Sequence, residues 1–142
     1  KRKVKNVKWI HKLYQQYPEH PKLIIGKPNT QYDFSTIKNT VIHSNLNNSE
    51  VQKLMKESQI LVCPSLFESA SITILEGIHN GCKIITSKNV GMADILPEEC
   101  LVNDVYDKDS WILKINKLRK VNNLSFNLIS NKDSYIKFLY TL

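Results

Sequence analysis

One stretch constrains this chain more than any other. Pro64–Gly81 reads PSLFESASITILEGIHNG, and a short apolar run flanks it on each side. Ile60-Leu61-Val62-Cys63 precedes it, and Lys83-Ile84-Ile85-Thr86 follows it. Runs this short, rich in β-branched residues and bounded by Pro, Ser and Gly, predict buried parallel strands. Between them lie a polar loop and a segment with helical periodicity. The result is a strand–loop–helix–strand unit, the length that a right-handed crossover between parallel neighbours needs. In such sheets ligands bind beyond the carboxyl ends of the strands.

Two carboxylates mark the unit. Glu68 lies in the loop and Glu76 on the helix, with seven residues between them. Ser71 suits the N-cap position, because its hydroxyl can accept a free amide of the first turn. Ile72 is then the first helical residue and Glu76 lies in the second turn. Helical side chains lean towards the N-terminus, so Glu76 can reach back to the loop. The free amides near Ile72–Ile74 offer a pocket for an anion such as a phosphate. An ionised carboxylate only accepts hydrogen bonds, which suits hydroxyl-rich neighbours such as a ribose and a hexose. The plainer alternative stays open at this point: a solvated loop carboxylate and an exposed helix carboxylate.

Pro64-Ser65-Leu66-Phe67-Glu68, Leu75-Glu76-Gly77, Gly81-Cys82-Lys83-Ile84-Ile85-Thr86-Ser87 and Asn89-Val90-Gly91 together resemble the donor-binding half of GT-B glycosyltransferases. More narrowly they are similar to the large retaining family with a Glu-x7-Glu motif. The resemblance covers roughly residues 5–120. It implies a Rossmann-like α/β sandwich with a mostly parallel sheet, spanning 1–142 as one donor-binding domain. It implies that Glu68, the catalytic candidate, contacts the donor sugar and that Glu76 contacts the ribose. The main chain of Ser69, Ala70, Ser71 and Ile72 would contact the diphosphate or sugar. Lys5, in Lys5-Asn6, resembles the family's diphosphate-binding lysine. In the family a strand ending in Gly-Arg precedes this point and lies centrally in the sheet. The expectation is therefore a chain that begins inside a longer polypeptide, with the acceptor-binding domain upstream. The donor is a nucleotide-diphosphate sugar, no cofactor or metal is expected, and the chain alone should transfer nothing.

Some positions depart from the family's pattern. Ser69 and Ser71 stand where glycines are frequent, Gly77 where Ala is usual, Lys83 where Pro is common, and Asp94 near a usual Glu. They leave the strand–helix pattern intact and bear on sugar preference and activity.

Composition narrows the setting. The 142 residues contain 42% hydrophobic and 23% charged side chains, as in an ordinary soluble domain. No apolar run is long enough to span a bilayer. Lys-Arg-Lys at the N-terminus lacks the apolar stretch of a signal peptide. Three cysteines without metal spacing fit a reducing cytoplasm. The net charge is +7, with Lys1, Arg2, Lys3, Lys5 and Lys8 clustered. That cluster admits an anionic ligand or peripheral contact with a membrane surface. Only two of the basic residues are Arg and no nucleic-acid module signature occurs, so nucleic acid is not an expected partner.

Along the chain, Val4, Val7, Ile10, Leu13, Tyr14 and Tyr17 predict an amphipathic helix stopped by Pro18. Strands are predicted near Leu23–Ile25, Val41–Ile42 and Leu101–Val102. His43, at the end of one of them, is a candidate for the base pocket, or a structural histidine. Residues 28–39 read as irregular. Asn47–Glu50 opens a helix over Val51, Leu54 and Met55, and a helix over 107–120 turns Trp111, Ile112, Ile115 and Leu118 inward. Residues 126–142 read as one or two helices. The predicted core includes Ile24, Leu61, Val62, Leu75, Ile78, Ile84, Ile85, Trp111 and Ile115. Two other functions remain compatible with these residues: a sugar-nucleotide epimerase half on the same architecture, and a non-catalytic domain that binds a nucleotide or an anion.

Overall fold

Five apolar runs become five short strands: β1 (Lys22–Ile25), β2 (Thr40–His43), β3 (Ile60–Cys63), β4 (Lys83–Ser87) and β5 (Leu101–Val102). They belong to a computed structural model that describes residues 5–27 and 31–121. Val4 and residues 126–142, which carried helical expectations, lie outside the described residues. Among the described residues four helices precede, connect and follow the strands: α1 (Val7–Tyr14), α2 (Asn48–Glu57), α3 (Ile72–His79) and α4 (Lys108–Lys120). Every strand pair is parallel, so this is the expected Rossmann-like α/β architecture. A single 3₁₀ turn, Phe34–Thr36, interrupts the irregular connection.

Local chemistry fixes the helix ends. Asn47 accepts the Glu50 amide at 3.0 Å, and the Glu50 carboxylate accepts the Asn47 amide at 2.7 Å. That reciprocal box satisfies two otherwise orphaned donors of α2. α1 starts after Asn6, which sits in the left-handed region at φ 52°, where asparagine is among the best-tolerated side chains. At the far end of the chain, the Lys83 ammonium donates to Leu118 O at 2.8 Å. The lysine that stands where a proline is common thus caps the C-terminal carbonyls of α4, where a cation is favoured.

The strands form two sheets, β1-β2 and β3-β4-β5. The expected parallel pairing holds throughout; of the predicted core, Ile84, Ile85, Trp111 and Ile115 are buried, and Leu61, Val62, Leu75 and Ile78 pack against it half-buried. β4 has a neighbour on both sides, and Ile84, Ile85, Thr86 and Ser87 are all buried. Among the described residues β3 pairs on one side only, and Leu61 and Val62 are half-buried. Ile24 on β1 is half-buried for the same reason. Leu75 and Ile78 are half-buried because α3 turns Ile74 and Gly77 inward instead. Gly77 lets that face press onto the sheet: a Cβ there would lie 2.5 Å from Leu61 Cδ2 and 3.0 Å from Ile84 Cδ1. Trp111, Ile115 and Leu118 of α4 close the core beside Cys100 and Val102. The turn after α1 meets α4 through the Tyr17 hydroxyl, which donates to Ile112 O at 3.4 Å. α2 meets α3 through Gln52 and Asn80.

Candidate functional site

The loop after β3 is fastened by the strand beside it. Pro64 and Ser65 are buried. The Thr86 hydroxyl donates to Cys63 O at 2.9 Å, and the Ser87 hydroxyl donates to Ser65 O at 2.9 Å. Farther along, Gly91 N–H donates to Glu68 O at 2.7 Å, within a parallel bridge between Glu68 and Val90. Only glycine fits there. A Cβ on Gly91 would lie 2.0 Å from Ser69 O and 2.8 Å from Ser69 C.

This clamp sets the Glu68 side chain, whose carboxylate accepts from the Lys5 ammonium at 2.6 Å. The two side chains are 21% and 43% exposed, a partly solvated ion pair at the carboxyl ends of the strands. The sequence places them 63 residues apart, and the fold joins them.

Ser71 is the N-cap of α3, as predicted. Its hydroxyl accepts from Ile74 N–H at 3.4 Å, and its carbonyl accepts the same amide at 3.1 Å. Ile74 is therefore not one of the free donors, which narrows the predicted amide pocket. The amides of Ser69, Ala70, Ser71, Ile72 and Thr73 make no hydrogen bond among the described residues. Ser69, Ala70 and Ile72 are exposed and Ser71 is buried. Glu76 is half-buried, and its carboxylate has no polar partner among the described residues.

Lys5, Glu68, Ser71, Thr73 and Glu76 are among the residues that line a cavity of about 1070 Å³. His43, half-buried at the end of β2, does not line it. Nothing in its position supports the base-pocket role over a structural one. These residues carry an ammonium, two carboxylates and, at Ser71 and Thr73, two free amides of the start of α3 on one cavity wall. Such a wall can hold an anion on its N–H donors and hydroxyl groups on its carboxylates.

Tyr14 and Cys63, both half-buried, also stand on the cavity wall. Burial, with a smaller push from nearby Cys63, raises the Tyr14 phenol to about 12. Burial, then the Glu68 carboxylate, raises the Cys63 thiol to about 12, with Lys5 opposing. Both acids are therefore weaker in the folded state. Their contribution to stability is complete below the unfolded values and is lost as pH climbs through 9 and 10 towards 12. The urea midpoint should fall between pH 8 and pH 11, and Tyr14→Phe should fall less steeply than the parent. Parallel curves would remove Tyr14 from this account.

Among the described residues, no helix is long and apolar enough to cross a membrane. No group of three or more His, Cys, Asp or Glu residues among them could hold a metal ion. No curated protein matches the chain. The sequence model of the family described as glycosyl transferases group 1 matches residues 2–134, nearly the whole chain. That span contains both sheets, all four helices and every wall residue named above. On fold, cavity wall and family match together, the chain belongs to the group 1 glycosyl transferases.

Proposed function

We propose that this domain binds the nucleotide-diphosphate sugar of a retaining GT-B transferase, and that a companion domain carries the acceptor. The observation that carries the reading is the meeting of Lys5 and Glu68 beside the free amides that open α3. In this reading Lys5 and the amides of Ser69–Ile72 neutralise the diphosphate as it departs. Stabilising that developing charge is the largest service a site of this kind renders. Glu68 holds the sugar and Glu76 the ribose. Lys5 has to release Glu68 before it can reach a phosphate, so binding exchanges one anionic partner of Lys5 for another. A transferase site of this kind lies between two domains, and this domain alone transfers no sugar.

Two titrations on the intact transferase test the assignment, one with nucleoside diphosphate and one with sugar nucleotide. Glu76→Ala removes a charge-assisted hydrogen bond, worth about 1.5–3 kcal/mol. Affinity for both ligands should fall roughly ten- to a hundred-fold, at about 1.4 kcal/mol per factor of ten. Glu68→Ala should bind the diphosphate nearly as the parent does while transfer is lost. Parental diphosphate affinity in Glu76→Ala would return Glu76 to an ordinary helix surface.

A further inference from the structure

The helices form two layers, and the layers differ in charge. A Cβ on Gly77 of α3 would meet Ile84 of β4, whereas Lys83, one residue earlier, reaches Leu118 O of α4. Neighbouring residues of a strand point to opposite faces of a sheet, so α3 and α4 lie on opposite sides of it. α2 sits beside α3: Gln52 meets Asn80, and Met55 O accepts from the Cys82 thiol at 3.0 Å. α1 sits beside α4: Trp9 meets Tyr106 edge-on at 6.5 Å, and the turn after α1 reaches Ile112 O through Tyr17. Histidines aside, α1 and α4 carry seven basic residues and one acidic residue, Asp109. α2 and α3 carry two basic residues and three acidic ones. The excess positive charge of these helices therefore belongs to one face.

The outside of that face is not neutralised. Lys8, Lys12, Lys117 and Lys120 are exposed and form no ion pair among the described residues. A helix C-terminus favours cations, which accounts for Lys12 and for the lysines that end α4. It accounts neither for Lys8 nor for Leu113. Leu113 is 56% exposed, and its neighbours at helical spacing are Asp109, Asn116, Lys117 and Lys120. Just ahead of α4, Tyr106 is 62% exposed. Lys5, at the start of α1, is paired with Glu68 and stands apart from the four lysines.

We propose that the outer face of α1 and α4 docks on an anionic lipid surface, with Leu113 set among the headgroups and the lysines around it. Unpaired lysines beside an exposed apolar side chain are what such a surface rewards. Each ammonium is drawn by the lipid phosphates, and the leucine leaves water at the acyl boundary. The amphipathic ring of Tyr106 suits the same depth. A second copy of this chain is a poor occupant, because two faces of like charge repel. Residues 122–142 are no better matched in charge, since Lys132 and Lys137 outnumber Asp133. A nucleic acid or an acidic protein would meet the same lysines, but neither has an apolar layer to receive Leu113 beneath its charges.

This inference goes beyond the sugar-nucleotide reading, and its test uses no donor. The intact transferase is titrated with vesicles of phosphatidylglycerol and phosphatidylcholine in equal parts, at about 0.1 M salt, where surface charges are still felt over about 10 Å. Two matched pairs remove the same charge from opposite faces. Lys117→Gln with Lys120→Gln changes α4, and Lys53→Gln with Lys56→Gln changes α2, where both lysines are also exposed. A lysine near an anionic bilayer contributes about a factor of five, so the α4 pair should bind about 25-fold more weakly. The α2 pair should stay within about threefold of the parent, and Leu113→Ser should bind about tenfold more weakly. Equal losses in the two pairs overturn the inference. So does a parent that ignores the anionic vesicles, or a Leu113→Ser variant that binds them as the parent does. Soluble polyglutamate or a DNA duplex bound as tightly as the vesicles also overturns it, and would make an acidic protein or a nucleic acid the occupant.

Discussion

Gly91→Ala is expected to lower sugar transfer by about a hundred-fold in the intact transferase while leaving most of the fold in place. The new methyl carbon would stand 2.0 Å from Ser69 O, a backbone atom that no rotamer change can move. The loop has to retreat, and the 2.7 Å bond from Gly91 N–H to Glu68 O is lost with it. Overpacking of this kind costs about 1–3 kcal/mol. The larger effect falls on geometry. Glu68 and the free amides of Ser69–Ile72 move together, and a displacement of about 1 Å at a reacting centre can cost a hundred-fold in rate. Initial rates and urea midpoints, measured side by side, separate the two effects. A variant with parental rates would mean that the Glu68–Gly91 clamp does not set the site.

Trp111→Ala should have the largest effect on stability. Trp111 is fully buried at the first turn of α4, and its indole N–H donates to Val105 O at 3.1 Å. Removing a buried tryptophan costs about 3–5 kcal/mol, against a total of about 5–15 kcal/mol for a typical domain. Trp111→Phe keeps an aromatic ring in place but leaves the buried Val105 carbonyl without its donor, at about 1–3 kcal/mol. The urea midpoints should therefore order parent, Phe, Ala. A loss below about 1 kcal/mol for Trp111→Ala would mean that α4 does not close the core.

The strands were legible because each is a short β-branched run between breakers, a signal contained in the residues themselves. Ser71 and Asn47 were legible as caps for the same reason: a cap is chemistry over three or four positions. Burial was less legible. Leu61, Val62 and Ile24 have the side chains of central strands, yet their exposure depends on what lies across an open sheet edge. Leu75 and Ile78 pack against the core only half-buried, because the most inward positions of α3 are Ile74 and Gly77, and Gly77 presents no side chain to mark that face. Within the site, Glu68, Glu76 and Lys5 carried recognisable chemistry. Their mutual placement did not: the Lys5–Glu68 contact and the Gly91–Ser69 approach join distant segments, and no local spacing encodes them. The role of Lys83 was likewise invisible until Leu118 O appeared beside it.

The Lys5–Glu68 ion pair has a consequence for how the site responds to ionic strength. Added salt weakens the attraction between a bound anion and a cationic side chain, and exposed pairs are screened most. Here the same screening also loosens the contact between Lys5 and Glu68, since both partners are partly in water. The two effects oppose each other in any exchange of a carboxylate for a phosphate at the Lys5 ammonium. In the proposed reading Lys5 trades one negative partner for another, so the salt dependence of donor binding is expected to be shallower than the charge of the arriving anion implies.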